Sequence, residues 1–305
     1  MPAFKIPIHI SLFLFLCSSA LGGDCAPSFL LNVVDRTATI RQDLQSADLE
    51  VEVDGKLAAL SNLSVDTEPR RIVVLVDSSG SMEASPQRAG WGVALPAAAY
   101  AVDVIPANAS AMLVTFSDKL VKQSSNFENR EAVGKKVLAL AKTPPGGPTS
   151  LFGSMNQILG DFPELKSGDA IFVVTDGADN KSETSIHVLS DKLASRGLRL
   201  FVFLASRKSF ETEEEKSGAV EMEKLAERTG GKAVLMTDAD ISGKKRAQLD
   251  NLKPQLIALV KNVYRAELDP SLGKAKTVRA KISKAGDLNH NAEIYYQHEV
   301  PACAR

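Results

Sequence analysis

Three short segments of this chain place oxygen donors at the ends of apolar runs. Arg71-Ile72-Val73-Val74-Leu75-Val76 leads into Asp77-Ser78-Ser79-Gly80-Ser81-Met82, so one carboxylate and two hydroxyls follow a strand at alternating positions. Gly146-Gly147-Pro148-Thr149-Ser150-Leu151 offers another hydroxyl, and Ala170-Ile171-Phe172-Val173-Val174-Thr175-Asp176-Gly177 ends in a second carboxylate. Such donors suit hard divalent cations, whereas zinc or copper calls for His or Cys, and none lies in these segments. Asp77, Ser79, Ser81, Thr149 and Asp176 are therefore the candidate metal ligands, with Mg²⁺ the expected ion and Mn²⁺ or Ca²⁺ also suited. Alternation turns Asp77, Ser79 and Ser81 toward one point as the chain leaves its strand, and Gly80 permits the bend. A lone Asp-x-Ser-x-Ser also fits a polar strand-to-helix turn with an N-capping serine. Thr149 and Asp176 in matching contexts favour the cation.

Positioning these residues requires a sheet. Between residues 71 and 263 short, fully apolar runs alternate with longer amphipathic stretches, the pattern of a mostly parallel sheet covered by helices on both faces. The runs Ile72–Val76, Met112–Phe116, Ile171–Val174, Leu200–Leu204 and Ala233–Met236 are too short for buried helices and rich in Val, Ile, Leu and Phe. A short edge strand is expected at Lys119–Gln123. Helices are expected at 92–105, 130–141, 151–160, 184–195, 219–229 and 248–262, with Pro96 in a first turn and Gly197 and Gly230-Gly231 at helix ends. In open α/β sheets ligands gather beyond the carboxyl ends of strands where strand order reverses, which is where Asp77 and Asp176 would sit.

The flanks read differently. Leu49-Glu50-Val51-Glu52-Val53-Asp54-Gly55-Lys56-Leu57 alternates apolar and acidic residues into an Asp-Gly turn, a hairpin signal. Val278, Ala280 and Ile282 alternate with Arg279, Lys281 and Lys284, and Ile294 and Tyr296 follow another turn. These patterns predict a small accessory β-domain from residues 24–69 and 264–305, with an α/β domain at 70–263 inserted in it. Separate extensions packed on the larger domain are the alternative.

Residues 1–22 read as an export signal: Lys5, an apolar stretch from Ile6 to Cys17, then small residues to Gly22. An uncleaved anchor is the alternative, although the stretch is short for a bilayer and contains Pro7 and His9. No later segment is long enough to cross a membrane, so a secreted, periplasmic or cell-envelope location is expected. Export places Cys25 and Cys303 where disulfides persist, and their pairing would tie the two flanks together. Two free thiols are the alternative. Hydrophobic residues make up 44% of the chain and charged residues 24%, a balance that excludes disorder as the default. A net charge of −1 and the lack of a basic stripe exclude a general nucleic-acid binder.

The order Asp77-x-Ser79-x-Ser81, Thr149, Asp176-Gly177 resembles the von Willebrand factor type A family and its metal-ion-dependent adhesion site, over roughly residues 70–263. That resemblance implies that the hydroxyls of Ser79, Ser81 and Thr149 touch the ion and that Asp77 and Asp176 bind it directly or through water. It further implies a free coordination position for an acidic residue of a partner protein. A narrower likeness links the flanks to exported bacterial proteins described in Acidobacteria as related to von Willebrand factor type A. It is carried by Val33-Val34-Asp35, Asp48 to Gly55, Pro69-Arg70-Arg71-Ile72, Tyr264-Arg265 and Tyr295-Tyr296. Here Pro148 stands in the usually small loop before the threonine, and Ile294 rather than glycine precedes Tyr295.

The expected function is a non-enzymatic, metal-dependent adhesion or interaction module. A metal-dependent hydrolase would need a base besides the two aspartates, and neither a positioned His, a Gly-x-Ser-x-Gly elbow nor a phosphate-binding glycine loop is present. An envelope scaffold that uses metal only for stability is a third reading. Glu213, Glu214 and Glu215, in the acidic run after the fourth apolar strand, would stand on the rim of the site as a selectivity fence or self-ligand. A solvated loop is the plainer reading. Trp91 is either part of that rim or a packing residue at a helix start. His187, His290 and His298 lack metal-ligand spacing.

Overall fold

The computed structural model describes residues 26–35, 39–82, 91–162, 164, 166–206, 213–241, 243, 245–261, 263–272, 277–283 and 292–301. The first part of the chain forms β1 (Ser28–Val34), β2 (Leu49–Val53), β3 (Lys56–Ala58) and β4 (Leu60–Asp66). The middle contains β5 (Arg71–Asp77), α1 (Ala94–Asp103), β6 (Ser110–Phe116), β7 (Leu120–Lys122), α2 (Arg130–Ala139) and α3 (Leu151–Ile158). It continues through β8 (Ala170–Thr175), α4 (Ile186–Ser195), β9 (Arg199–Ser206), α5 (Glu213–Arg228), β10 (Lys232–Thr237), α6 (Asp238–Ile241) and α7 (Arg246–Lys261). β11 (Val263–Leu268), β12 (Val278–Ile282) and β13 (Glu293–Tyr296) complete the described elements.

Six strands form the central sheet in the order β10-β9-β8-β5-β6-β7, parallel except for the edge strand β7. Both faces of the inner strands β5, β6, β8 and β9 are covered, which is why these strands are apolar almost throughout rather than alternating. Ile72, Val74 and Val76 of β5 pack with α1, α2 and α7 in one core. Val73 and Leu75 face the other way, into a second core with α3, α4 and α5. This is the expected α/β class. The helix signals hold closely, with two exceptions. α6 is not among the expected helices, and α5 begins at Glu213, so the acidic residues Glu213–Glu215 form a first helical turn rather than a loop.

The flanking strands come from both ends of the chain. β13-β1-β11-β4 form one antiparallel sheet and β12-β2-β3 another, with a shared apolar cluster that includes Phe29, Leu31, Val51, Val53, Tyr264 and Val278. The β2–β3 turn has positive φ at Asp54 (48°) and Gly55 (77°), the backbone a two-residue hairpin of matching twist requires.

At the amino ends of the central strands, where these sheets abut, buried charges are paired within the chain. Asp169 receives the backbone N–H of Arg71 (3.0 Å) and its guanidinium (2.6 Å). Asp66 is 2.9 Å from Arg70 and 2.5 Å from Arg265. Arg199, wholly enclosed, donates instead to the carbonyls of Gly230 and Leu259 and to Asn32 Oδ1. Burial, with the charge of Arg70 adding to it, lowers its pKa to about 9, which keeps it charged at neutral pH.

Candidate metal site

Strand order reverses between β5 and β8, and the candidate donors gather at the carboxyl ends of these two strands. Asp77 closes β5 and is fully buried. Its Oδ1 accepts the Ser79 N–H (2.9 Å) and its Oδ2 the Thr175 hydroxyl (2.8 Å) from the end of β8. The chain then turns through a single 3-10 turn, Gly80–Met82, which leaves the Ser79 and Ser81 hydroxyls 3.1 Å apart. The two alternate hydroxyls thus come together, whereas Gly80 has no positive φ and a Cβ there would meet Gly147 O at an ordinary 3.5 Å, so the bend does not depend on glycine.

Backbone bonds stitch the other loops to this turn. Gly146 N–H donates to Ser78 O (2.7 Å) and Gly80 N–H to Gly147 O (2.9 Å). Gly147 takes φ +90°, a conformation open to glycine but strained for other residues, and so carries the chain into Pro148 and Thr149. Thr149, itself 2% exposed, is clamped from the third loop. Asn180 Oδ1 accepts its N–H (3.0 Å), while its carbonyl accepts the N–H groups of Asn180 and Lys181. Asp179 Oδ2 accepts the Phe152 N–H (2.9 Å) at the start of α3. Thr175, Asp179 and Asn180 thus organise the candidate site without having stood out in the sequence. The signal was there, since a polar Asp176-to-Asn180 run following a buried strand needs internal partners.

Asp176 is 6% exposed. Its Oδ1 accepts the Ala178 N–H (3.0 Å), yet among the described residues its buried Oδ2 has no hydrogen-bond partner. Burial and the nearby charge of Asp176 push the Asp77 pKa up to about 7 against the bonds from Ser79 and Thr175. Asp176 is raised as well, chiefly by burial and less by Glu215, with the Ser81 hydroxyl and Ala178 N–H opposing. Two buried carboxylates thus face each other, and no described cationic side chain forms an ion pair with either.

The rim residues separate. Glu215 is half-buried beside Asp176, Glu213 pairs with Lys216 (2.6 Å), and Glu214 is exposed. Trp91 is not on the rim: it is 2% exposed, packs among the residues around α1 and donates its Nε1–H to Thr143 O (2.5 Å). A large ring with one polar atom buries readily where that atom finds a carbonyl. Cys25, Cys303 and residues 1–22 lie outside the described residues, as does His290. No described group of three or more His, Cys, Asp or Glu side chains is placed to hold a metal, so the candidate site depends on two carboxylates and three hydroxyls.

This sheet order and these loops define a von Willebrand factor type A fold. The family model described as "VWA domain containing CoxE-like protein" matches residues 32–230, and the chain belongs to that family. No curated protein matches the chain. Among solved structures, von Willebrand factor type A from Catenulispora acidiphila is 12% identical, covering 84% of this chain and 74% of that one with a TM-score of 0.47. BatB, a conserved hypothetical protein from Bacteroides thetaiotaomicron, is 14% identical over 61% of this chain and 98% of its own, with a TM-score of 0.45. Proximal thread matrix protein 1 from the mussel byssus, solved with a zinc-occupied MIDAS motif, is 16% identical over 68% of this chain and 50% of its own, with a TM-score of 0.49. The family assignment rests on the family model. No helix among the described residues is long and apolar enough to cross a membrane.

Proposed function

We propose that Asp77, Ser79, Ser81, Thr149 and Asp176 hold one divalent cation, Mg²⁺ with Mn²⁺ or Ca²⁺ as substitutes, and that this non-enzymatic protein binds a partner carboxylate through it. The observation that carries the reading is the Oδ2 of Asp176, buried without a donor among the described residues and beside a second buried carboxylate. An arrangement of this kind is costly unless a cation completes it. The donor set fits, being all oxygen with a formal charge matching a dication. When bound, the ion supplies positive charge and an exchangeable position for the partner's carboxylate. The chain's own part is to hold the donors: Thr175 fixes Asp77, the Ala178 N–H fixes Asp176, and Asn180 fixes the Thr149 loop.

In this reading residues 1–22 direct export, and the protein works in the cell envelope or outside the cell. Residues 70–263 are the binding domain, while 24–69 and 264–305 form one accessory β-domain, a division supported by strands from the two flanks sharing both outer sheets. The narrower likeness to exported acidobacterial proteins rests on the flank motifs alone. A Cys25–Cys303 disulfide would close this accessory unit. Its support is that β1 and β13, the described strands nearest the two cysteines, are paired, with Leu31 opposite Tyr296.

The test is affinity capture from the envelope of the source cells with Mg²⁺ or with chelator, repeated with Asp77→Ala. A partner retained only by the native protein with Mg²⁺ supports the bridge. A partner held equally under chelation overturns it, and a melting temperature that rises with Mg²⁺ without any captured partner points to a scaffold.

A further inference from the structure

We propose that the partner is an acidic protein segment with at least two carboxylates, one reaching the cation and the next pairing with Lys181 at the edge of the site. This rests on the cation reading above and deepens it, because it names the partner's chemistry beyond a single carboxylate.

Lys181 owes its place to the clamp on Thr149. The Thr149 carbonyl accepts the N–H groups of Asn180 (3.1 Å) and Lys181 (3.0 Å), while Asn180 Oδ1 accepts the Thr149 N–H (3.0 Å). The Lys181 backbone is thus held against the residue whose hydroxyl is a proposed ligand, and a flexible four-carbon stem carries its ammonium from there. Of the side chains in the three segments that frame the donors, 78–82, 146–150 and 176–182, Lys181 alone is a cation. It is exposed.

The nearest acid in the chain is engaged elsewhere. Asp179 Oδ1 accepts the N–H groups of Lys181 (3.3 Å) and Ser182 (3.0 Å), and its Oδ2 accepts that of Phe152 (2.9 Å). No ion pair among the described residues includes Lys181. The comparable lysine on the other side of the Thr149–Ser150 segment is Lys119, in the turn whose Ser117 carbonyl accepts the Ser150 N–H (2.8 Å). Asp118 directly precedes it and offsets its charge. Between these loops the exposed residues Gly80, Ser81, Gly147 and Pro148 are small or compact and uncharged. A partner segment can lie over this ground with one carboxylate at the ion, and a second gains an attraction at Lys181 that a lone carboxylate does not use. Exposed ion pairs contribute modestly and are screened by salt, so Lys181 sets the preference among acidic partners.

The experiment follows the fluorescence polarisation of two labelled glycine-serine hexapeptides, one carrying a single aspartate and one carrying three, with the full protein in Mg²⁺ at low ionic strength. The proteins are the native chain, Lys181→Gln, Lys56→Gln and Asp77→Ala, with folding checked by circular dichroism and Mg²⁺ binding by calorimetry. The native protein is expected to favour the three-acid peptide. Lys181→Gln is expected to weaken that peptide about threefold, less in added salt, while changing the single-acid peptide by less than about 1.5-fold. Lys56→Gln makes the same charge change on exposed β3 of an outer sheet and is expected to leave both peptides as they were. Equal weakening of the two peptides by Lys181→Gln, an equal effect of Lys56→Gln, or no binding of the three-acid peptide by the native protein overturns the inference. If both peptides stay bound to Asp77→Ala or under chelation, the cation reading itself fails. If Asp77→Ala loses Mg²⁺ and the peptides while Lys181→Gln keeps the native preference, only the role of Lys181 fails.

Discussion

The central sheet buries aspartates at both ends and treats them in opposite ways. Beyond the amino ends of β5 and β8, Asp66 and Asp169 each face an arginine, and Arg199 is enclosed by carbonyls and an amide. Beyond the carboxyl ends, Asp77 and Asp176 receive only hydroxyl and amide donors, and one buried oxygen receives none. Buried ions need compensation wherever they occur. At the amino end the chain provides the opposite charge itself, although Arg70 Nε and Nη2 are buried there without a hydrogen bond among the described residues. At the carboxyl end compensation is left to something exchangeable, which separates a structural pole from a binding pole.

The largest effect that could break this contrast comes from the structural pole. Arg199→Met leaves the buried Gly230 and Leu259 carbonyls without their shared donor, and urea unfolding should show a loss of about 3–5 kcal/mol. Its Mn²⁺ affinity should match the native protein's; a large change would mean that the poles are coupled. At the binding pole, Mg²⁺ at about a hundred times its dissociation constant should add about 2.7 kcal/mol to the unfolding free energy. Asp77→Asn should abolish that increment while making the metal-free protein more stable than the native one, because one of two opposed carboxylates is gone.

Gly218→Ala, whose Cβ would lie 1.9 Å from the Gly177 carbonyl oxygen, forces α5 away from Gly177. It should cost about 1–3 kcal/mol and weaken Mn²⁺ binding together, since the displaced loop carries Asp176. Trp91→Phe removes the bond to Thr143 O and should cost about 1 kcal/mol in thermal unfolding while leaving Mn²⁺ affinity unchanged. The smallest effect concerns His298, whose pKa burial holds below 6.5, with Arg228 pushing the same way and Glu227 and Glu299 opposing. The folded state then binds this proton less readily than the unfolded chain. Its contribution to stability is complete above pH 6.5 and is lost as pH falls through the lower, folded value. His298→Gln should flatten that part of the pH–stability curve measured by urea unfolding.

The two poles were not equally legible. The inner strands β5, β6, β8 and β9 were readable because both of their faces are buried, which produces uninterrupted apolar runs, and the Asp-Gly hairpin announced its own turn. Asp77, Ser79, Ser81, Thr149 and Asp176 stood out because their spacing after such strands is chemically unusual. The structural pole was silent. Arg70, Arg199, Asp66 and Asp169 are ordinary charges in sequence, and nothing local says that Arg199 will be enclosed by carbonyls about 30 and 60 residues away. Trp91 could be read either way because its polar atom needs a partner in both settings, and only the position of Thr143 decides. The acidic run was read as a loop because the charge run itself hid a helix start that α5 takes through a first turn of glutamates.

Gln297 has a consequence for the order in which the molecule can be completed. Its side chain accepts the Leu30 N–H and donates to Gly197 O, both at 2.9 Å, while its backbone N–H reaches Leu30 O. Among the described strands β1 pairs with β11 and β13, both far later in the chain than β1. β1 therefore cannot complete its sheet until the α/β region that separates it from β11 and β13 has been made. The arrival of Gln297 then closes the outer sheet around Leu30.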